Sequence, residues 1–390
     1  MIRLGVIGHG GRVSSVIKSC LRKIAPEIRV VGIIDPDEKG ARSRLADCDK
    51  DVVFYKNLKE MVSKAKIDAL AIGTRCNLHA PYAIEASRYD IPLYLEKPVA
   101  ISMKQALALE NAFEKSKCPV LVSFPLRVSP LCLKTRELIE DGSIGRPEHI
   151  AALNYVNYGT VYWEHEYRNY DITQGLFLQK ATHDLDYMMY LVDSPIVRVA
   201  AMASKGRVFG GTKKSGLKCS ECKETDTCLE SPENRRRNSS GWHNDDHNCV
   251  YSVDCGNPKT GTNEDSSSAI VEFASGAHGI YTQVFFTRRD ASRRGAIISG
   301  YSGTLDFDWY RNDIKYVRHH SPFSDLIKAG EGLSHFGGDD ELANDFIGII
   351  NGKCKSRTTI WMGLQSAYAC LAAKESAEKG IFVKVRQVGK

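Results

Sequence analysis

A chain of 390 residues, 43% apolar and 26% charged, has the composition of an ordinary folded protein and is long enough for two domains. Its 53 basic and 47 acidic residues leave a formal charge of +6, a mild excess that suits an anionic ligand and does not point to nucleic acid. No run of about 18 apolar residues is present, so no membrane span is expected. With no leader-like segment ahead of the first strand pattern, the expected address is cytoplasmic.

In chain order, the apolar runs Arg3–Ile7, Val30–Ile34, Ala69–Ile72, Leu93–Leu95 and Val120–Ser123 read as strands. Between them Val13–Lys23, Lys39–Ala46, Leu58–Lys64, Ala80–Ser87 and Met103–Lys115 have helical composition. This alternation predicts an α/β domain over 1–124, a doubly wound parallel sheet of the Rossmann type covered on both faces. After a helix at Leu131–Asp141 the rhythm changes. His149–Tyr158, Ile196–Ser204, Ser267–Glu272, Gly279–Phe286, Gly295–Ser299 and Thr304–Asp308 alternate in the manner of a sheet with one open face. A helix at Asp184–Leu191 interrupts them. The expectation for 125–390 is therefore an α+β domain with a large, mainly antiparallel sheet. It is interrupted by a Cys-rich insertion at about 213–263 and ends in helices at Asp340–Ile350 and Gln365–Lys379 that pack back on the first domain.

Gly8-His9-Gly10-Gly11-Arg12-Val13 follows the first strand and opens the first helix. Gly8 permits the tight turn, and Gly10 lets a pyrophosphate approach the backbone at a helix N-terminus. Val13 stands where a third glycine is usual. Asp35 ends the second strand 25 residues after Gly10, where an acid accepts hydrogen bonds from both ribose hydroxyls and repels a 2′-phosphate. NAD is therefore favoured over NADP; the competing reading is that Asp35 caps the next helix.

Leu95-Glu96-Lys97-Pro98, at the end of the fifth strand, resembles the signature of the Gfo/Idh/MocA oxidoreductases. Asn77-Leu78-His79-Ala80-Pro81 is similar to that family's loop beside the nicotinamide. The segment from Gly175 to Asp186 is similar to its second-domain motif, and His335-Phe336-Gly337-Gly338-Asp339 to a late Gly-rich segment. The resemblance runs over nearly the whole chain. It implies hydride transfer between a nicotinamide and a secondary hydroxyl of a sugar, glycoside or cyclitol. It also implies self-association as a homodimer or homotetramer, with neither a nucleic acid nor a membrane as partner. The cofactor contacts expected on this basis are Gly8, Gly10, Gly11, Arg12, Val13, Asp35, Thr74, Asn77, His79, Glu96 and Lys97.

Oxidising an alcohol needs a base within reach of the hydroxyl. Lys97 lies at the carboxyl end of a parallel strand, where open α/β sheets bind ligands, and is the first catalytic candidate. His183 is the second. Many relatives carry an acid four residues before this histidine; here Gln179 stands there and cannot exchange protons near neutrality. Substrate contacts are expected from Lys97, Arg127, Gln179, Lys180 and His183, with Arg127 equally readable as a staple at the domain junction. Of Asp184 and Asp186, one reads as a helix cap rather than a catalyst. Tyr158, Tyr162, Trp163, His165 and Tyr167 offer either stacking faces for a sugar or core packing.

Seven of the twelve cysteines are scattered in apolar surroundings and read as small buried hydrophobes. Cys219, Cys222, Cys228 and Cys249, with His243 and His247 nearby, have a spacing compatible with a structural zinc site; a metal-free loop is the alternative. The run Arg235-Arg236-Arg237 reads as a solvated loop. Two other functions share the fold: an NAD-dependent glycosidase acting through transient oxidation, and a non-catalytic NAD-binding regulator.

Overall fold

The computed structural model describes residues 1–239, 246–255, 262–329 and 334–389. The chain divides into two compact units. One comprises Met1–Leu133, Glu331–Tyr368 and Gln387–Lys390, and the other Lys134–Gly330 and Ala369–Arg386. The first unit thus continues past residue 124 and takes in part of the tail.

In the first unit, β1 (Arg3–Ile7), β2 (Arg29–Ile34), β3 (Val53–Phe54), β4 (Ala69–Ile72), β5 (Leu93–Leu95) and β6 (Val120–Val122) form one sheet in the order β3-β2-β1-β4-β5-β6. Every neighbouring pair is parallel. The order reverses between β1 and β4, and the crevice at such a switch point is where doubly wound sheets bind ligands. All four residues of β4 are buried, as expected of a strand covered on both faces. The helix Gly338–Ile350, from the tail, packs Leu342, Ala343 and Phe346 into one core with Val13, Val16, Ile17 and Tyr94.

The helix Cys76–Ala86 begins four residues earlier than the sequence suggested, because Pro81 lies inside it. Proline has no N–H to give the carbonyl of Asn77, one turn back. That carbonyl accepts instead from Gln105 Nε2, at 2.8 Å, so the helix tolerates the proline and the Asn77 backbone is held in place.

The second unit is built on a nine-stranded sheet. Its strands are β7 (Pro147–Tyr155), β8 (Ile196–Ser204), β9 (Ser266–Phe273), β10 (His278–Val284), β11 (Arg293–Gly300), β12 (Gly303–Asp308), β13 (Asp313–Arg318), β14 (Ser324–Lys328) and β15 (Val383–Lys384). The order is β14-β13-β12-β11-β7-β10-β9-β8-β15, antiparallel throughout except where β7 and β10 run parallel. Burial alternates along β9 and β10, leaving Met202, Ile270 and Ile280 on an exposed face. The edge strand β14 is almost wholly exposed, so no apolar alternation announces it in the sequence. The buried helix Ala181–Val192 packs on the sheet. Among the described residues no helix is long and apolar enough to cross a membrane.

Candidate active site

In the first unit the glycine loop joins β1 to a helix that runs without a break from 11 to 24, with a π-helical stretch at Ile17–Leu21. Gly8 has φ +80°, and a Cβ there would lie 2.7 Å from the Thr74 backbone, so only glycine fits the turn. At Gly10 and Gly11 an added Cβ would meet nothing within 4 Å. That open cradle at a helix start suits a pyrophosphate. Val13, in place of the third glycine, is accommodated from the opposite side: a Cβ on Gly73, just after β4, would sit 2.0 Å from Val13 Cγ2. The small residue that close packing needs has moved from the helix to the strand end.

Asp35 ties this loop to the end of β2. Its carboxylate accepts from the N–H of His9 at 2.8 Å and from that of Asp37 at 2.9 Å. The helix cap is the neighbouring Asp37, whose side chain accepts from Gly40 N–H. His9 is buried, which lowers its pKa, and its Nδ1 lies 3.2 Å from the Ala41 carbonyl. Arg44, missed in the sequence, donates from Nε to the His9 carbonyl at 2.8 Å and braces the same turn.

Arg12, expected to touch cofactor, has its guanidinium engaged within the protein. It makes a bidentate pair with Asp339 at 2.6 and 2.7 Å and donates to Glu96 at 3.1 Å. Burial by itself would raise the Asp339 pKa, but hydrogen bonds from Arg12 and His335 outweigh it and hold the carboxyl well below the usual range. The late Gly-rich segment is thereby anchored to the glycine loop, and Glu96 is a partner of Arg12 in the same network.

Lys97 follows β5 and is half-buried, joined to Pro98 by a cis peptide bond. The buried ring of His79 spans the neighbouring turns, its nitrogens 2.8 Å from the Pro98 carbonyl and 3.0 Å from that of Thr74. Burial lowers the His79 pKa. His79 thus holds the backbone that presents Lys97. Asn77 Oδ1 is buried and has no hydrogen-bond partner among the described residues, an orphaned acceptor of the kind a ligand amide would satisfy. Arg127 is buried, with Nη1 3.3 Å from Met362 Sδ in the same unit. These features fit a dinucleotide: an open cradle, an acid at the end of β2, and an unsatisfied acceptor beside the Lys97 turn.

In the second unit Gln179, Lys180 and His183 are all buried at the junction of the short helix Leu176–Gln179 and the helix Ala181–Val192. Gly175 opens the junction at φ +98°, and a Cβ there would come 2.6 Å from Glu264 Oε1. Asp184 is not a cap. It is fully buried, takes a bidentate pair from Arg294 at 2.9 and 3.0 Å, and accepts from Asn154 at 2.9 Å and Tyr281 at 3.0 Å. Lys180 Nζ lies 2.7 Å from Tyr158 Oη, a pairing the sequence did not suggest. Tyr162 and Trp163 pack with Phe209 and Phe285 in a local core, so they are packing residues rather than stacking faces.

The zinc expectation is not supported. Among the described residues no group of three or more His, Cys, Asp or Glu is arranged to hold a metal, and Cys219, Cys222, Cys228 and Cys249 are free thiols. Burial and then the neighbouring thiols push the Cys219 pKa up to about 12. His247 lies 3.6 Å from Cys219 Sγ, and His243 falls outside the described residues. The arginine run is a helix, Pro232–Asn238, and not a solvated loop. Its Arg235 is buried against Glu164 and Glu230, which is what ties the insertion down.

Comparisons with known proteins agree with this geometry. Residues 2–124 match the model of the oxidoreductase family with an NAD-binding Rossmann fold, and residues 132–306 match the GFO/IDH/MocA C-terminal domain. The putative oxidoreductase YteT of Bacillus subtilis is 24% identical over 250 residues, covering 60% of this chain and 58% of that protein. Inositol 2-dehydrogenase 1 of Saccharopolyspora erythraea is 24% identical over 199 residues, 51% of this chain and 56% of its own. The chain thus spans little more than half the length of these relatives. Among solved structures, levoglucosan dehydrogenase in complex with NADH and L-sorbose superposes with a TM-score of 0.76 at 18% identity, covering 100% of both chains. The Bordetella pertussis WlbA dehydrogenase with NADH and UDP-GlcNAcA gives 0.72 at 19%, covering 99% and 98%. With both family models matched in sequence order and the fold shared along its length, the chain belongs to the Gfo/Idh/MocA oxidoreductase family.

Proposed function

We propose that this protein is an NAD-dependent oxidoreductase that moves a hydride between the nicotinamide and a secondary hydroxyl of a sugar, glycoside or cyclitol. The observation that supports it most is the placing of Lys97 just past β5, at the carboxyl end of the parallel sheet in the unit that carries the open glycine cradle, Asp35 and the orphaned Asn77 oxygen. Relatives named for inositol and levoglucosan support the substrate class.

Bound NAD supplies the hydride acceptor. The chain's own residues do the rest. Gly8, Gly10 and Gly11 would make room for the pyrophosphate, Asp35 would receive the ribose hydroxyls, and Thr74 and Asn77 would hold the nicotinamide end. Lys97 holds and polarises the reacting hydroxyl, in the conformation that His79 fixes from behind. In the second unit His183, Gln179 and Arg294-braced Asp184 belong to the helix junction that handles substrate, with His183 orienting a hydroxyl. Self-association as a dimer or tetramer through the exposed sheet face bearing Met202, Ile270 and Ile280, and a reducing, cytoplasmic setting for twelve free thiols, complete the proposal.

The test is NADH formation over a panel of sugars, glycosides and cyclitols, with bound cofactor measured first. Stoichiometric NADH from at least one polyol is expected. Product without NADH release would mean a redox-neutral glycosidase instead. NAD binding without turnover on any compound would mean a regulator.

A further inference from the structure

In the first unit Lys97 is gripped through both of its chain neighbours. On one side a ring nitrogen of His79 holds the Pro98 carbonyl at 2.8 Å. On the other, the buried carboxylate of Glu96 accepts from Arg12 Nε at 3.1 Å. Arg12 is the hub of this second hold. Its guanidinium also gives two bonds to the buried Asp339, at 2.6 and 2.7 Å, and lies 3.4 Å from Ser123 Oγ, which accepts the Tyr94 hydroxyl at 3.1 Å. Arg12, Glu96 and Ser123 follow β1, β5 and β6, so one cation joins three strand ends on the side of the sheet where ligands bind. Asp339 brings the tail helix to the same point, and the turn ahead of that helix is strained. His335 and Phe336 have φ +45° and +55°, left-handed values that residues with a side chain adopt only at a cost, and Gly337 follows at +85°. The turn persists because it is pinned. His335 Nδ1 lies 2.9 Å from Asp339 Oδ2, and a Cβ on Gly338 would fall 1.9 Å from the Pro125 carbonyl oxygen. Strain held in place beside ligand-binding strand ends points to a geometry that the site uses.

We propose that Asp339 and Arg12 are positioning residues of the reaction: Asp339 aims the Arg12 guanidinium at Glu96, and Glu96 so held fixes the strand end that presents Lys97. This rests on the alcohol-oxidising reading above. Neither residue needs to touch the substrate; both act through the backbone next to Lys97. Arginine suits the hub because its planar fork meets Asp339 with two N–H groups while Nε remains for Glu96. The single ammonium of a lysine cannot reproduce that fork. Misplacing a reacting group by about 1 Å costs on the order of 10²-fold in rate, so a loosened Glu96 is expected to show in turnover.

Two measurements test the hold, and the first needs no turnover. In ¹³Cε-lysine-labelled protein the Lys97 signal, identified by its loss in Lys97→Arg, is expected to move in Asp339→Asn and to stay in place in Asp345→Asn. Asp345 lies on the same tail helix but pairs with Arg357, so it serves as the control for the helix itself. A Lys97 signal unmoved in Asp339→Asn overturns the proposal. The second measurement is kcat in oxidation, counted per bound NAD so that unfolded protein drops out. Asp339→Asn, Glu96→Gln and Arg12→Lys are each expected to lower it by about 10–10²-fold, with the KM for the alcohol changed far less. Asp339→Asn combined with Glu96→Gln should lose little more than either alone, because both act through Arg12. Asp345→Asn should keep kcat within about threefold. Equal losses in Asp339→Asn and Asp345→Asn would reduce Asp339 to a holder of the helix and overturn the proposal. A wild-type protein that oxidises no secondary alcohol brings down the reading of the reaction, while the lysine signal still decides the hold. One that does so, with Asp339→Asn within about threefold of its kcat, overturns the positioning alone.

Discussion

Asp35 bears on cofactor choice in a way that its contacts sharpen. Its carboxylate is held by the His9 and Asp37 N–H groups at the end of β2, so it is not free to swing away from a 2′-phosphate. NAD should therefore bind more tightly than NADP, and Asp35→Ala should weaken NAD more than NADP. Dissociation constants for both cofactors, with both proteins, check this; equal affinities in the wild type would refute it. Lys97 poses a different question, charge or proton transfer. Lys97→Ala should lower turnover by about two to four orders of magnitude. Lys97→Arg keeps the charge and should retain much of the activity if Lys97 only holds the hydroxyl. An arginine variant as impaired as the alanine one would return the proton to Lys97. NAD affinity should change little in either, since the cradle and Asp35 are untouched.

At the scale of elements, the meeting of the first helix with β4 depends on one exchange of sizes. Gly73→Ala would drive a methyl into Val13 and should cost about 1–3 kcal/mol, read as a fall in the denaturation midpoint. Val13→Ala in the same chain should recover most of that loss. Additive losses would show that the two side chains do not meet. The tail helix makes a second point through Asp339, whose carboxyl is held well below the ordinary range by Arg12 and His335 against the effect of burial. A depressed carboxyl stabilises the fold above its unfolded pKa of about 3.9, and that stability is lost as pH falls below it. Asp339→Asn should lower stability at neutral pH and flatten the decline on the acid side. Melting curves from about pH 7 to pH 3 decide it, and a variant with the wild-type slope would sink the assignment. The glycine spacing announced the loop and its ligand, but not that Arg12 would be turned to Asp339, more than 300 residues away in sequence.

At the scale of the whole molecule, the described part of the Cys-rich insertion is fastened by buried ion pairs. Arg235 is buried with Glu164, and Glu230 bridges it to Arg288. Removing one member leaves a buried charge uncompensated, so Arg235→Ala should cost about 3–5 kcal/mol in thermal or denaturant unfolding. Chelator treatment should leave the melting temperature unchanged. A chelator-induced drop, with about one zinc recovered per chain, would restore the zinc reading. What the sequence determined by itself is whatever rests on local pattern. β1, β4, β5 and β8 have the predicted bounds because strand periodicity and glycine punctuation act between near neighbours. Glu96-Lys97-Pro98 and Asn77-Leu78-His79 stood out by their resemblance to a family's motifs, and Asp35 by its spacing from the glycine loop. Only the tertiary structure decided what long-range pairing decides: Asp184 as the partner of Arg294, Arg12 as the partner of Asp339, Lys180 beside Tyr158, and the arginine run as a helix. Each joins residues that no periodicity relates, and each is held by a desolvated charge or hydrogen bond whose strength exists only once the chain around it has excluded water.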